Sequence, residues 1–232
     1  MNNNIDQCIL NLRFDHPLSR NVEAKDLRGA IANRNRDKTV FHQHTLSGEL
    51  IYKYPLVQYK IIKGKGFLIG FSDGAEAIAN LEILREEFEL HGERYLLLQN
   101  EIRFCSTSIG VTKEFLSYHF LSPWVALNEE NYRRYHRTEP GARKSLLAGI
   151  LIGNILSMAK GVRYLVTEEI KAHVDVHEVP VKLKGLSMVG FLGDFKVNFE
   201  IPDYSGLGKS VSRGFGTVLR KEATSVTSQR TE

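Results

Sequence analysis

Two histidines separated by a single residue, His42 and His44, are the side chains in this 232-residue sequence best suited to proton transfer. On an extended segment, residues i and i+2 point to the same side, about 6–7 Å apart. Near neutral pH one imidazole can be neutral and the other protonated, so the pair can supply a general base and a general acid. This chemistry suits RNA cleavage, in which the ribose 2′-OH attacks the adjacent phosphate.

The residues around the two histidines indicate a short hairpin that would hold them. Residues 38–45 and 50–54 flank a polar turn, and the second arm carries Tyr52, Lys53 and Tyr54, which are candidates to stabilise charge on phosphoryl oxygens. Two solvent-facing histidines remain an alternative interpretation. A metal pair is less favoured because no third ligand has suitable spacing nearby.

A glycine-rich string near the C-terminus, residues 206–216, is the second candidate site. It holds four glycines and two basic residues: Gly206, Gly208, Lys209, Arg213, Gly214 and Gly216. Glycine allows backbone conformations that other residues resist, and consecutive N–H groups in such a loop can bind an anion. The string therefore predicts a phosphate cradle, although a purely structural turn remains open.

A nucleotide-binding P-loop does not fit this string. The first glycine of G-x-x-x-x-G-K-[ST] would fall at Asp203, and the sequence predicts a strand at 215–220, not a helix, after the loop.

Basic side chains are segregated along the chain. Residues 50–71 and 206–221 contain lysines and arginines but no acid, whereas residues 73–93 contain seven acids and one arginine. The stretch 131–144 interleaves Arg133 and Arg134 with tyrosines, a pattern that suits RNA through phosphate contacts and base stacking. A helix surface with snorkelling arginines explains that stretch equally well.

The first half of the chain predicts the ferredoxin-like order β-α-β-β-α-β. Alternating apolar residues indicate strands, and apolar residues at helical spacing indicate helices. The predicted elements are a strand at 8–14, a helix at 23–34, strands at 56–62 and 66–71, a helix at 74–90 that ends at His91-Gly92, and a strand at 95–105.

The second half predicts a degenerate version of the same unit. Its predicted elements are a strand at 115–120, a helix from Pro140 to Lys160, and strands at 170–176, 195–201 and 215–220. The second helix is shortened or lost. The fold class is therefore α+β with tandem ferredoxin-like domains at 1–108 and 109–223, and with a disordered tail at 224–232.

Composition predicts a cytoplasmic protein that does not enter a membrane. The net charge is +4, the two cysteines form no disulfide framework, and the N-terminus does not resemble a signal peptide. The uncharged apolar stretch 145–159 is shorter than the ~20 residues of a membrane span, so it predicts a buried core helix.

The pattern G-x-G-x5-G-F-G at residues 206–216 resembles the signature of the RAMP superfamily, in particular of the endoribonucleases that process CRISPR precursor RNA. The resemblance implies tandem ferredoxin-like domains, RNA contacts from the glycine-rich loop including Phe215, and cleavage within the repeat without metal or cofactor. It also places catalytic histidines between the first helix and second strand, as a His42/His44 pair, with a third residue at Tyr52 or Tyr54.

The function implied by the resemblance is a metal-independent endoribonuclease that leaves 2′,3′-cyclic phosphate and 5′-OH ends. Lys53, Arg133 and Arg134 would join the glycine-rich loop in holding the RNA. The alternative is a non-cleaving RNA-binding subunit of a CRISPR effector complex. CRISPR precursor RNA is the expected partner, while other effector subunits and a second copy of the chain remain open.

Overall fold

The computed structural model describes residues 3–35, 38–41, 53–83, 86–183 and 185–222. These residues form two antiparallel sheets with helices, one in each half of the chain. The first sheet ends at Ser108 and the second begins at Gly110, so Ile109 alone connects them.

The first half forms a five-stranded sheet in which β1 lies between β3 and β5. The elements are β1 (Asn4–Phe14), α1 (Ala24–Arg34), β2 (Val57–Ile62), β3 (Lys65–Phe71), α2 (Asp73–Ala79), β4 (Glu87–Leu90) and β5 (Glu93–Ser108). The strand order is β2-β3-β1-β5-β4. This arrangement is the predicted ferredoxin-like unit with one added edge strand, β4.

The core of this unit follows from the alternation in β1. Cys8, Leu10 and Leu12 point to one face and are buried against Leu27 and Ile31 of α1. Helix α1 begins at a capping box, in which the backbone N–H of Glu23 donates to the side chain of Asp26 at 2.8 Å. The strand and the helix thus fix each other's position.

The prediction of a helix over 74–90 is wrong beyond Ala79. Helix α2 ends there, and β4 follows with buried Phe88 and Leu90 alternating with exposed glutamates. His91 and Gly92, expected to end a helix, instead form the tight β4–β5 turn with φ of +52° and +79°. The period of two at 87–90 decides the structure because it matches a half-buried strand.

The second half repeats the strand arrangement of the first, with β6 between β8 and β9. The elements are β6 (Gly110–Phe120), α3 (Glu129–Arg137), α4 (Pro140–Gly161), β7 (Ala172–Leu183), β8 (Leu186–Glu200) and β9 (Val218–Arg220). The order is β7-β8-β6-β9. The second helix is lost, as predicted, and the glycine-rich string with a 3-10 turn at Val211–Arg213 occupies its place; β9 is shorter than expected.

Helix α4 covers one face of the second sheet. Its buried residues share one side of the helix and are Leu147, Leu151, Ile155, Met158 and Ala159. By length and composition alone this helix would also be apolar enough to cross a membrane. The packing of its apolar side in the core agrees with the predicted core helix.

The two sheets share a core. Ile69 and Phe71 of β3 belong to the same buried cluster as Trp124, Phe195 and Phe199 of the second half. Part of the first sheet's other face, including these β3 residues, is therefore covered by the second half of the chain, and the loop between β8 and β9 lies against both halves.

Candidate nucleic-acid interface

The loop that joins β8 to β9 lies at the junction of the two halves. We call residues 206–216 the glycine-rich loop. One part of it packs on the segment that follows β6, and another packs on β2 and α1. Its glycines are best understood from these two sets of neighbours.

On the side of the second half, two glycines have left-handed backbones and lack room for a side chain. Gly216 has a φ of +62°, and a Cβ there would overlap the carbonyl oxygen of Leu207. Gly208 has a φ of +88°, and a Cβ would lie 2.7 Å from the carbonyl oxygen of Val125. Both positions therefore require glycine for the loop to close.

On the side of the first half, two further glycines allow close approach. A Cβ at Gly206 would lie 2.8 Å from Oε1 of Gln58 and 3.0 Å from Nζ of Lys60. A Cβ at Gly214 would lie 2.8 Å from Cβ of Ala24, in the first turn of α1. The loop is thus seated directly on β2 and α1.

Many backbone N–H groups of the loop bond to the protein itself. The bonds run from Gly206 to Gln58 Oε1 (2.9 Å), Leu207 to Gly216 O (2.9 Å), Lys209 to Val125 O (3.0 Å), Gly214 to Val211 O (3.2 Å) and Gly216 to Pro123 O (2.9 Å). These N–H groups are not free to bind a phosphate. The glycines are therefore explained by a structural turn, the alternative that the sequence left open. The basic side chains of the loop are better candidates for anion contacts.

Two arginines meet where the loop contacts α1. Arg28 lies one helical turn after Ala24, on the side of α1 that approaches Gly214 and the 3-10 turn carrying Arg213. Burial, and then the positive charge of Arg213, lower the pKa of Arg28. Within the described residues neither arginine forms an ion pair with a carboxylate. We call Arg28 and Arg213 the basic cluster.

A buried hydroxyl lies beside the basic cluster. The side chain of Tyr59 on β2 is fully buried, its hydroxyl has no hydrogen-bond partner among the described residues, and it interacts electrostatically with Arg28. Burial raises the pKa of Tyr59, so the group is a neutral donor. Two arginines with no carboxylate partner among the described residues favour an anion at this surface, whereas the hydroxyl of Tyr59 is enclosed by the protein.

Lys60, the next residue on β2, points to the underside of the glycine-rich loop. Its side chain is 1% exposed, and Nζ donates to the carbonyl oxygen of Val211 at 3.3 Å. Burial lowers the pKa of Lys60 to about 7. The basic stretch 50–71 had suggested that Lys60 belongs to a surface for a polyanion. Instead, Lys60 is buried and supports the turn that carries Arg213.

Three of the four predicted catalytic residues, His42, His44 and Tyr52, lie outside the described residues. The fourth, Tyr54, packs against Gly161, and its buried hydroxyl lies near Gln58 and Ser205 with no geometrically defined hydrogen bond among the described residues. The predicted hairpin arm at 38–45 includes residues 39–41, which form a 3-10 turn instead of a strand. Phe41 of this turn is buried in the core of the first half.

The remaining predicted RNA-binding residues are spread over the surface. Lys53 and Lys209 are exposed, and Phe215 and Arg213 are half-buried. Arg133 pairs with Glu129 on the same helix, whereas Arg134 faces a groove that it lines together with Lys209. The structure thus brings Arg134 to the glycine-rich loop and leaves Arg133 in a surface ion pair.

Metal-binding groups give no competing interpretation in the part of the chain that the structure describes. No group of three or more His, Cys, Asp or Glu residues there is arranged to hold a metal ion.

Sequence reasoning missed Arg28, Tyr59 and the role of Lys60. The signal for Lys60 was a single lysine inside an apolar strand, with Tyr59 before it and Ile61 after it. The signal for Arg28 in the sequence was weaker, because its candidate role depends on Arg213, which lies 185 residues later in the loop that packs on α1.

Comparison with known proteins identifies the family. Residues 4–107 match the model of the Cas6b N-terminal domain, and residues 110–221 match that of the Cas6b C-terminal domain. An uncharacterized protein of Methanocaldococcus jannaschii is 44% identical over 137 residues, which are 59% of this chain and 93% of that protein.

Solved structures agree with this assignment. A crystal structure of Cas6b is 34% identical, with a TM-score of 0.86 over 94% of this chain and 100% of that one. A second, described as a CRISPR RNA processing endoribonuclease, Cas6b, is 35% identical, with a TM-score of 0.75 over the same shares. A RAMP protein that binds different RNA substrates shares the fold at 13% identity and a TM-score of 0.55, over 94% of this chain and 99% of that one. This chain belongs to the Cas6b family.

Proposed function

We propose that this chain is an endoribonuclease that cleaves CRISPR precursor RNA within its repeats. A relative of 35% identity that spans nearly the whole chain is a CRISPR RNA processing endoribonuclease. The observation that carries the proposal is the basic cluster: Arg28 and Arg213 lie together without a carboxylate partner in the described residues, where the glycine-rich loop contacts α1. An RNA phosphate supplies the charge and the acceptors that this arrangement lacks.

The proposed reaction uses the nucleophile that RNA itself provides. One of His42 and His44 removes the proton of the 2′-OH, which attacks the adjacent phosphorus, and the other protonates the departing 5′-oxygen. The P–O5′ bond breaks as the P–O2′ bond forms, so the products are a 2′,3′-cyclic phosphate and a 5′-OH. This balance needs neither water nor a metal ion in the cleavage step.

The basic cluster would hold the phosphate during this reaction. Negative charge builds up on the non-bridging oxygens in the transition state, and fixed cations stabilise it without reorganisation. Lys60 would act indirectly, because its bond to Val211 O holds the turn that carries Arg213.

The position of Tyr54 bears on the third catalytic residue. Because its hydroxyl is buried under the glycine-rich loop, Tyr54 suits a structural role better than contact with a phosphate. Tyr52 is then the better candidate for stabilising phosphoryl charge.

The test is cleavage of a CRISPR repeat RNA in excess EDTA. We expect the wild type to cut it once per repeat, and His42→Ala/His44→Ala to bind it with similar affinity but not cut. The matched control is His173→Ala/His177→Ala, which removes two exposed histidines four residues apart on β7 and should cut normally.

Each other outcome has a clear meaning. Binding without cutting by the wild type would favour the alternative, a non-cleaving subunit of an effector complex. Loss of cutting in EDTA with rescue by a divalent ion would contradict the metal-independent mechanism, and equal cutting by both double variants would remove the histidines from it.

A further inference from the structure

A pocket of about 670 Å³ lies between α3 and the β7–β8 hairpin, at the end of the glycine-rich loop opposite the basic cluster. We call it the Tyr132 pocket. Its apolar lining comes from Tyr132, Val179, Pro180, Met188 and Val189. Ligand sites in proteins are of this size and are typically apolar with a few polar groups.

The ring of Tyr132 is available to a ligand. Tyr132 is 45% exposed, and its ring is contacted on one side by the ring of His136, with 4.3 Å between the ring centroids and 63° between the ring planes. An exposed, fixed tyrosine ring beside methionine and proline provides a surface on which a flat ring can stack.

The polar groups of the pocket are also held in place. Tyr135, buried one turn along α3, donates to Oε1 of Glu178 at 2.7 Å and so orients that carboxylate at the pocket wall. Glu129, also in the lining, forms an exposed ion pair with Arg133. Glu178 can accept a hydrogen bond from an amino group, as acidic side chains do from the amino group of cytosine.

Lys209 connects this pocket to the glycine-rich loop. It lines the pocket, its backbone N–H is anchored on Val125 O at 3.0 Å, and its ammonium makes no ion pair with any residue that the structure describes. Arg213 lies four positions after Lys209, so their Cα atoms are at most about 14 Å apart. A nucleic-acid strand lying on the basic cluster can therefore reach Lys209 within a few nucleotides.

We propose that the Tyr132 pocket binds one nucleobase of the RNA, stacked on Tyr132, with a neighbouring phosphate on Lys209. The inference rests on the proposed function, since it takes the substrate to be RNA, and it adds a subsite away from the cleaved bond. Because Glu178 is an acceptor, the pocket favours a base with an amino group, adenine, cytosine or guanine, over uracil.

The test is a thermodynamic cycle between the protein and the RNA. The RNA carries a 2′-deoxy nucleotide at the cut site so that it is bound but not cleaved, and single abasic positions are scanned along it. We expect one position at which base removal weakens binding to the wild type by roughly 5- to 100-fold, the range of base–aromatic stacking. In Tyr132→Ala the same base removal should have no further effect.

Two variants control the interpretation. Tyr132→Phe should restore the wild-type dependence on that base, because it keeps the ring. Phe115→Ala truncates an aromatic residue of similar exposure, 43%, on β6, and should leave the abasic profile unchanged. Glu178→Gln, which keeps an acceptor for Tyr135, should reduce discrimination against uracil at the position identified.

The failures are distinguishable. Normal binding with no position whose abasic effect depends on Tyr132 would overturn the nucleobase pocket and leave the proposed function intact. A wild type that binds no repeat RNA would overturn both. A Tyr132→Ala defect that is the same for every abasic RNA would also overturn the subsite, because the contact would then not be with one base.

Discussion

The two halves of this chain share a strand arrangement and differ most in the connection between its third and fourth strands, which runs from β3 to β5 in the first half and from β8 to β9 in the second. In the first half α2 and the added strand β4 fill that connection, and in the second the glycine-rich loop does. Both connections depend on glycine. A Cβ at Gly70 would overlap the backbone of Gly74 in α2, and a Cβ at Gly216 would overlap Leu207.

The difference lies in what the glycines bring together. Gly70 lets α2 close on its own sheet, so the first connection completes a core. Gly206 and Gly214 let the second connection leave its own domain and pack on β2 and α1. Loss of a helix in one repeat thus leaves a loop that reaches the other repeat, and the basic cluster forms where the two meet.

Substitution at these glycines should give the largest effect and should separate the two connections. We expect Gly70→Ala and Gly216→Ala each to lower the free energy of unfolding by about 2–4 kcal/mol, because the added Cβ overlaps neighbouring backbone atoms that must move. Only Gly216→Ala should also weaken RNA binding by the protein that remains folded. Urea unfolding and RNA titration on the same samples measure both.

A third glycine serves as the control. Gly153 lies in α4, and a Cβ there would meet no described atom within 4 Å. Gly153→Ala should stabilise the protein by about 0.5–1 kcal/mol. Equal loss of RNA affinity in Gly70→Ala and Gly216→Ala would contradict the distinction between the two connections.

Lys60, under the second connection, should give a pH-dependent effect of intermediate size. An unfolded lysine keeps its proton to about pH 10.4, whereas burial lowers the folded pKa of Lys60 to about 7. Between these values the unfolded state binds more protons, so stability rises with pH, by up to about 1.4 kcal/mol per pH unit. Below pH 7 both states are protonated and the cost of burial is fully present.

Lys60→Met should flatten this dependence. The measurement is the free energy of unfolding of wild type and variant between pH 7 and 8.5, a window chosen because burial also raises the pKa of Cys8, to about 11, and would lower stability at higher pH. The difference between the two proteins should shrink as the pH rises. A constant difference would show that Lys60 is protonated in the folded protein throughout.

Arg28 should give a smaller effect, on binding alone. We expect Arg28→Ala to weaken binding of uncleavable repeat RNA by about tenfold and to reduce the slope of log K against log salt by about one. Stability should not fall, because the change removes repulsion from Arg213. Arg13→Ala, which removes an exposed arginine paired with Glu101, is the matched control.

Unchanged RNA affinity in Arg28→Ala would remove α1 from the interface. The second connection would then hold RNA through its own residues, and its contact with the first half would be structural.

The sequence predicted most of the strand arrangement and the loss of the second helix, because alternation and glycine content are local signals. It failed at 80–90, where Ile78 and Leu81 continue a helical period before Phe88 and Leu90 adopt the period of a strand. Local spacing does not say where one period gives way to the other.

The candidate site was predictable in part. The glycine-rich loop was found, but the purpose of its glycines was not, because Gly206 meets Gln58 across 148 residues of sequence. Arg28 became a candidate binding residue only because the fold places Arg213 near it. Such pairs depend on tertiary contacts, which no spacing along the chain encodes.

The central claim is that the RNA's own 2′-OH carries out the cleavage, and one substitution in the substrate tests it. A repeat RNA with a single 2′-deoxy nucleotide on the 5′ side of the cut site is compared with the unmodified RNA under single-turnover conditions, with the ends of the products analysed. We predict equal binding, cleavage of the unmodified RNA to 2′,3′-cyclic phosphate and 5′-OH ends, and no cleavage of the deoxy RNA at that site. Cleavage of both at the same rate would contradict the account.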